Sequence, residues 1–273
     1  FAMVTERRVA LAIAAHPDDI EFMQAGTLIL LKEVGWEVHY FNISTGNCGS
    51  AVMDGSETAR TRAAEAQTAA AFIGATWHAP IADDIAIFHT PELIARVCGV
   101  VRAVRPRIIL TQSPADYMED HMNATRLTVT GAFCRGMRNY PSIPAAAPVF
   151  DPVTIYHALP YGLCDGLRRR VMAGLYSDIS GVIETKKKML ECHVSQKKWL
   201  DDSQGMNAYT KTLEDMSRAV GVQSGRFAFA EGWRRHSHLG FTDVDTDPLS
   251  AALGGKMMVN EAYERTVREG VIA

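Results

Sequence analysis

Several features that identify other classes of protein are missing from this sequence. Its 273 residues carry a net charge of −3, so no basic excess indicates binding to nucleic acid or to an anionic membrane. No apolar run approaches the roughly 18 residues of a membrane-spanning helix, and no signal peptide is recognisable. Neither a linker nor an internal repeat divides the chain, which predicts a single domain.

Cysteine is scarce and is not arranged as it is in disulfide or metal frameworks. The number of cysteines is odd, and C-x-x-C spacing is absent: Cys48, Cys98, Cys134, Cys164 and Cys192. This usage predicts reduced thiols in a cytoplasmic protein. A dinucleotide-binding turn is missing too, because residues 14–17 read Ala-Ala-His-Pro where G-x-G-x-x-G would be needed.

What the sequence does contain is a regular alternation of strand and helix patterns. Strands are predicted at 8–15, 37–44, 75–78, 107–112, 154–158 and 176–180, and helices at 21–34, 56–73, 91–104, 121–137, 181–199 and 209–220. Such alternation predicts an α/β fold: a Rossmann-like, mostly parallel sheet with helices on both faces, in a single domain with an irregular C-terminal extension. We place the core at 4–200 and the extension at 201–273, where it packs on the core and could contribute a substrate lid.

The most informative segment directly follows the first predicted strand. Residues 15–21 read Ala-His-Pro-Asp-Asp-Ile-Glu. They place His16, Asp18 and Asp19 at the carboxyl end of a buried strand, where open α/β sheets bind their ligands. An imidazole and a carboxylate three residues apart suit a divalent metal, and the second carboxylate suits a general base. The alternative is capping of the next helix, which explains one aspartate but not the whole cluster.

A second cluster is predicted to meet the first through the topology of the sheet. In a doubly wound sheet the first and fourth strands are neighbours at the switch point. His121 follows the fourth strand, so it would lie in the same crevice as His16 and Asp19; the alternative from these residues alone is a polar side chain that opens a helix. Three such ligands would leave a coordination position for water and substrate, as catalytic zinc sites require.

These segments resemble the LmbE-like, or PIG-L-type, family of metal-dependent de-N-acetylases. The family carries A-H-P-D-D-x-E after the first strand and a later motif that ends in Asp-His, here Asp120-His121. Its R-x-x-E helix is similar to Arg62 and Glu65, and its His-x-Ser-Gln element is similar to 193–196. The resemblance covers about residues 8–200.

The resemblance implies a site and a reaction. His16, Asp19 and His121 would hold the metal, which we expect to be Zn²⁺, with Fe²⁺ or Mn²⁺ as alternatives suited to the same donors. Asp18 would act as general base toward a metal-activated water. Asp120 would orient a site residue, or else cap its helix. The expected substrate is a small N-acylated molecule, most simply an N-acetyl sugar, with no nucleic-acid or membrane partner; a homo-oligomer is compatible with the sequence.

One position departs from the family pattern. Many members carry His-x-Asp-His, whose first histidine helps to stabilise the oxyanion or to protonate the amine, but this chain has Met118 there. Either His157, His193 or Tyr117 takes over the role, or the metal and Asp18 suffice, or catalysis is weak. A half-buried strand histidine is the competing interpretation of His157.

Two further interpretations stay open from sequence. Arg62 is a substrate contact by resemblance, or one half of a surface ion pair with Glu65. The segment 231–238 forms part of a lid, or it packs Trp233 against the core. The rival functions are an amidase acting on a non-sugar or thiol-conjugate amide, and a non-catalytic binding homologue that lacks the helper histidine.

Overall fold

The computed structural model describes residues 7–197 and 208–269. Its strands are β1 Val9–Ala14, β2 Glu37–Asn42, β3 Thr76–His78, β4 Ile108–Thr111, β5 Thr154–Ala158, β6 Leu175–Asp178, β7 Ala230–Arg235 and β8 Met257–Val259. Its helices are α1 Asp19–Met23, α2 Ala25–Glu33, α3 Gly55–Phe72, α4 Pro91–Val104, α5 Glu119–Phe133, α6 Ile183–Glu191, α7 Ala208–Ser224, α8 Pro248–Leu253 and α9 Glu261–Glu269. None of these helices is long and apolar enough to span a bilayer.

The strands form one sheet in the order β3-β2-β1-β4-β5-β7-β6-β8. The first five pair in parallel, whereas β7 pairs antiparallel with both β5 and β6. The chain leaves β1 toward β2 and β3, and then crosses to the other side of β1 to form β4. The predicted fold class and the predicted switch point between β1 and β4 are therefore confirmed. The predicted boundary at residue 200 stays a prediction.

Strand β1 shows why the sheet is covered on both faces. Its alternate residues Ala10, Ala12 and Ala14 belong to one apolar core, which also contains residues of α2, α6 and α7. Val9, Leu11 and Ile13 belong to the second core, with residues of α4 and α5. A strand buried on both faces is uniformly apolar, and this explains the continuous run that the sequence shows.

Strand β7 was not predicted. It brings Trp233 into the middle of the sheet, where the indole is fully buried and its Nε1 donates to Ser177 Oγ (3.0 Å) and Thr27 Oγ1 (3.1 Å). Packing of Trp233 against the core is thus confirmed. The lid interpretation of 231–238 is wrong, because none of these residues lines the cavity at the carboxyl ends of β1 and β4.

The helix predicted at 21–34 is two helices, broken at Gln24. The backbone amides of Gly26 and Thr27, at the start of α2, donate to the Glu231 carboxylate at 2.7 Å each. Lys186 Nζ lies 2.8 Å from the same carboxylate, which balances its buried charge. A cap supplied from 205 residues away leaves no local signal, so the break could not be predicted. The helix predicted at 181–199 is interrupted: α6 ends at Glu191, and helical backbone resumes at 194–197. Residues 198 and 199 lie outside the described ones.

Candidate active site

Polar side chains collect at the carboxyl ends of β1 and β4, around a cavity of about 390 Å³. Its lining combines acidic side chains with apolar and aromatic ones: His16, Asp18, Asp19, Phe22, Cys48, Gly49, Arg62, Asp84, Ile85, Tyr117, Met118, His121, Tyr161, Gln196, Tyr209 and Thr212. Tyr209 and Thr212 lie on α7, so residues beyond position 200 contribute to the cavity. A concave site at a switch point is where α/β proteins bind small ligands.

His16, Asp19 and His121 are brought together, although His121 is far away in the sequence. Asp19 lies between the two imidazoles, with Oδ2 3.2 Å from His16 Nδ1 and Oδ1 3.4 Å from His121 Nε2. All three residues are buried, and they offer ligand atoms within 4.8 Å of one another. Two ligands of one tetrahedral zinc lie ~3.3 Å apart, so this donor set fits a divalent metal.

A carboxylate holds the other ring nitrogen of each histidine. His16 Nε2 lies 3.0 Å from Asp120 Oδ2, and His121 Nδ1 lies 3.0 Å from Asp116 Oδ1. These pairings leave His16 Nδ1 and His121 Nε2 to face Asp19. Metal-binding histidines are oriented in this way by carboxylates that fix the tautomer. Asp120 contacts His16 rather than its neighbour His121, and it does not cap α5.

The electrostatics of the cluster favour positive charge. Burial by itself lowers the pKa of His16, but hydrogen bonds to Asp120 and Asp19 outweigh it and raise the pKa to about 9. Burial likewise lowers the pKa of His121, whereas the charge of Asp19 and the bond to Asp116 raise it to about 10. Burial raises the pKa of Asp19, but the His121 charge and the bonds to both imidazoles hold it well below its usual range. The surroundings therefore suit a bound cation.

Asp18 lies at the cavity without belonging to the cluster. Its backbone adopts φ 110°, a left-handed conformation that is unfavourable for a residue other than glycine, and its side chain caps no helix. Tyr209 Oη donates to Asp18 Oδ2 at 2.7 Å, and Arg62 Nη2 lies 3.6 Å from the same oxygen. Burial raises the pKa of Asp18, and the charge of Arg62 opposes this shift. The capping alternative is not observed for Asp18, and a strained carboxylate at a cavity is typical of a functional residue.

Arg62 is buried, and its two terminal nitrogens are already hydrogen-bonded, whereas its buried Nε has no partner. Arg62 donates to the carbonyl oxygens of Pro17 (2.5 Å) and Gly46 (3.1 Å), which fixes the backbone next to Asp18. A Cβ at Gly46 would lie 2.7 Å from the Arg62 side chain, so this close approach requires glycine. The ion pair with Glu65 is not formed, because Glu65 accepts the amide and the hydroxyl of Ser195 at 2.7 Å each.

The three candidates for the missing helper histidine lie in different places. Tyr117 lines the cavity, and its ring packs edge-on against His121 with 5.5 Å between centroids. His193 is fully buried outside the cavity lining, with Nε2 3.4 Å from Glu21 Oε1. His157 does not line the cavity either, since both of its ring nitrogens face other partners, Gln112 O at 3.1 Å and His236 Nδ1 at 2.9 Å.

Three residues of the site were missed from sequence. Asp116 precedes His121 by five positions in the loop after β4, so its type and place gave a usable signal. Asp84 follows β3, lies 4.0 Å from His16 Nε2 and accepts from Cys48 N at 3.0 Å. Its position after a parallel strand could have drawn attention to it. Tyr209 is 191 residues from Asp18 and gave no signal.

Fold and cavity together define an α/β protein with a candidate metal centre at the switch point of its sheet. Residues 11–132 match the family described as PIG-L, GlcNAc-PI de-N-acetylase. The predicted resemblance is thereby confirmed.

Individual relatives differ in their activities. The chain is 25% identical over 242 residues to a 1D-myo-inositol 2-acetamido-2-deoxy-alpha-D-glucopyranoside deacetylase of Rhodococcus opacus, covering 71% of this chain and 82% of that protein. It is 27% identical over 159 residues to a 4-oxalmesaconate hydratase of Pseudomonas putida, covering 54% and 62%. The structure of the N,N'-diacetylchitobiose deacetylase of Pyrococcus horikoshii shares the fold, with TM-score 0.69, 20% identity, and 89% and 88% coverage. The family description and two of these names are those of deacetylases, hydrolases of amide bonds, which confirms the predicted enzyme class.

Proposed function

We propose that this protein is a metal-dependent deacetylase that hydrolyses the N-acyl amide, most simply an N-acetyl group, of a small sugar-like amine. The observation that carries this proposal is the juxtaposition of His16, Asp19 and His121 with Asp18 at one cavity. These three residues would hold the metal, for which we favour zinc over Fe²⁺ or Mn²⁺. When bound, the metal would supply a Lewis acid that polarises the acyl oxygen and acidifies water.

Asp18 would move the protons of the reaction. It would accept a proton from water as the water oxygen bonds to the acyl carbon, and it would return that proton to the amine nitrogen as the C–N bond breaks. The products are a carboxylic acid and a free amine. Arg62 and Tyr209 hold the Asp18 carboxylate and its backbone in place, so Asp18 meets the substrate already oriented.

The charges at the cavity favour a neutral substrate. Among the described lining residues Arg62 is the one with a permanent positive charge, and carbonyl oxygens and Asp18 already occupy it. Phe22, Tyr117 and Tyr161 offer ring faces on which the C–H face of a sugar can pack. The Pseudomonas relative is named for a carboxylic acid, whose recognition calls for free cations. This contrast supports amide hydrolysis over hydration.

Tyr117 is the candidate helper that the geometry supports best. It lines the cavity beside His121 and next to Met118, whereas His157 and His193 lie outside the lining. We therefore propose that Tyr117 stabilises the oxyanion, and that the thioether of Met118 contributes packing alone. A site in the cytoplasm remains our expectation and rests on the cysteines, all five of which are unpaired.

The test combines metal analysis with substrate assays. Purified protein is analysed for bound metal, and release of primary amine is followed with N-acetyl sugars, with a non-sugar acetamide and with a thiol-conjugate amide. We expect one metal per chain, amine release from a sugar substrate, and its loss on chelation. Asp18→Asn should retain the metal and lose about 10²–10⁴-fold in turnover. Amine release from the non-sugar or thiol-conjugate probe alone would support the rival amidase, and hydration of an unsaturated carboxylic acid without any amine release would contradict the proposal.

A further inference from the structure

Ile85 occupies an unusual position at the cavity. Ile85 lines the cavity, yet 62% of its surface is exposed to solvent. Asp84, which precedes it, also lines the cavity and is fixed by a hydrogen bond from Cys48 N. The loop that carries Ile85 is therefore anchored to the loop after β2, while Ile85 itself stays largely exposed at the cavity.

The backbone of Ile85 is unfavourable for its residue type. Its φ of 59° lies in the left-handed region, where a β-branched side chain is a genuine outlier. The backbone of Ile85 contributes to the site, because Ile85 N donates to Asp120 Oδ2 at 2.7 Å. The same oxygen lies 3.0 Å from His16 Nε2. Glycine or asparagine would make the same hydrogen bond without the strain. The hydrogen bond to Asp120 thus explains the left-handed backbone at position 85, but it does not explain why the side chain is isoleucine.

Further apolar and aromatic residues line the same cavity as Ile85. Tyr117 also lines the mouth and is 58% exposed. Behind it Tyr161 and Phe22 follow, with ring centroids 6.0 Å from Tyr117 to Tyr161 and 5.3 Å from Tyr161 to Phe22. An exposed apolar edge that leads into an apolar wall suits a ligand with an apolar part at the mouth.

We propose that Ile85 is a specificity-determining residue, which contacts an apolar group that extends from the substrate out of the cavity. The proposal rests on the deacetylase function proposed above and adds the substrate class to it. The substrate would be an amphipathic N-acyl amine rather than an N-acyl amino sugar without an apolar group. The apolar group belongs either to the amine half, as an alkyl or aryl substituent, or to the acyl half, as a longer chain.

Three probes separate these two sources. N-acetylglucosamine is the parent, its hexyl glycoside carries the apolar group on the amine half, and N-hexanoylglucosamine carries it on the acyl half. We expect kcat/KM of the metal-loaded enzyme to be about tenfold higher for one of the two hexyl probes than for the parent, because a half-buried isoleucine contributes about that factor. Ile85→Asn should remove this ratio.

Two controls separate specificity from folding and from general surface hydrophobicity. Asparagine tolerates the left-handed backbone, so the thermal midpoint of Ile85→Asn should be no lower than that of the wild type. Val52→Asn replaces an apolar residue that is 89% exposed but does not line the cavity, and it should leave the probe ratio unchanged.

Binding measurements keep the proposal testable if no probe is hydrolysed. Calorimetry then compares binding of N-acetylglucosamine, its hexyl glycoside and N-hexanoylglucosamine to wild type and to Ile85→Asn. Absence of amine release would overturn the deacetylase function, whereas Ile85-dependent binding of a hexyl probe would still support the apolar contact. Equal binding or turnover of all probes by the wild type, or a probe ratio that survives in Ile85→Asn, would overturn the role of Ile85.

Discussion

Two close pairs of histidines, His16 with His121 and His157 with the half-buried His236, have pKa values shifted in opposite directions. The rings of His16 and His121 are 5.4 Å apart, and those of His157 and His236 are 5.1 Å apart. The pKa of His16 is raised to about 9, whereas burial, with the charges of His236 and Arg234, lowers the pKa of His157 to about 3.

The difference comes from the partners of the rings rather than from the depth of burial. Carboxylates of Asp19, Asp116 and Asp120 surround the first pair, so it can carry positive charge or bind a cation. The second pair is bonded to the Gln112 carbonyl and to itself, and it stays neutral. Close histidines therefore indicate a metal site when carboxylates converge on them, and a packing arrangement when they do not.

The largest expected effect separates the two pairs directly. His121→Ala should lose the bound metal and reduce turnover by more than about 100-fold. Changing a residue that only orients a metal ligand already lowers metal affinity or activity about 10–100-fold. His236→Ala is the matched control, and it should retain the metal. Metal content by elemental analysis checks both, and an unchanged content in His121→Ala would remove His121 from the metal site.

The carboxylates behind the first pair should give a smaller effect. Asp116→Asn and Asp120→Asn weaken the orientation of His121 and His16, so each should lower metal affinity about 10–100-fold in a competition with a chelator. Asp83→Asn, at the exposed neighbour of Asp84, provides the control with the same change of charge. Affinities equal to that of the control would mean that the two carboxylates stabilise the fold but not the metal centre.

Tyr209 should have a still smaller effect, confined to turnover. Tyr209→Phe removes the hydrogen bond to Asp18 but keeps the packing against Phe22, whose ring centroid is 5.3 Å away. We expect kcat to fall about tenfold, the lower end of what a hydrogen bond to a charged group contributes, with KM and metal content unchanged. A loss of metal instead would show that Tyr209 acts on the cluster rather than on Asp18.

Site residues that lie close together in the sequence could be predicted, whereas contacts between distant segments could not. His16, Asp18 and Asp19 stand beside a strand that the apolar pattern predicted, so the edge on which they lie could be predicted as well. His121 was nominated mainly by its resemblance to a family motif, and the adjacency of β1 and β4 in a doubly wound sheet supported the choice. Asp120 was recognised as a partner of a site residue, but which histidine it holds depends on side-chain directions that no spacing reveals.

The C-terminal part was predicted only in part: the helix predicted at 209–220 is confirmed as α7, but β7 was missed because its role depends on distant contacts. Strand β7 contains Glu231 and Trp233, whose roles become apparent only where they meet α2. The same part supplies Tyr209 to the cavity. Patterns of apolar residues predict which segments are buried but not which distant groups they meet.

The smallest effect on turnover is expected at His157, which belongs to the pair of histidines that stays neutral. His157→Gln should leave turnover unchanged, because His157 does not line the cavity; a loss of about 100-fold would make it the helper after all.

The effect of His157→Gln should appear in the stability of the fold. The unfolded chain binds a proton at His157 below about pH 6.5, whereas the folded protein resists protonation down to a pKa of about 3. The free energy of unfolding should therefore fall as pH drops, by about 1.6 kcal/mol from this group between pH 6.5 and 5. Urea unfolding at both pH values should show a smaller fall in His157→Gln, and equal falls would mean that the histidine is not held neutral.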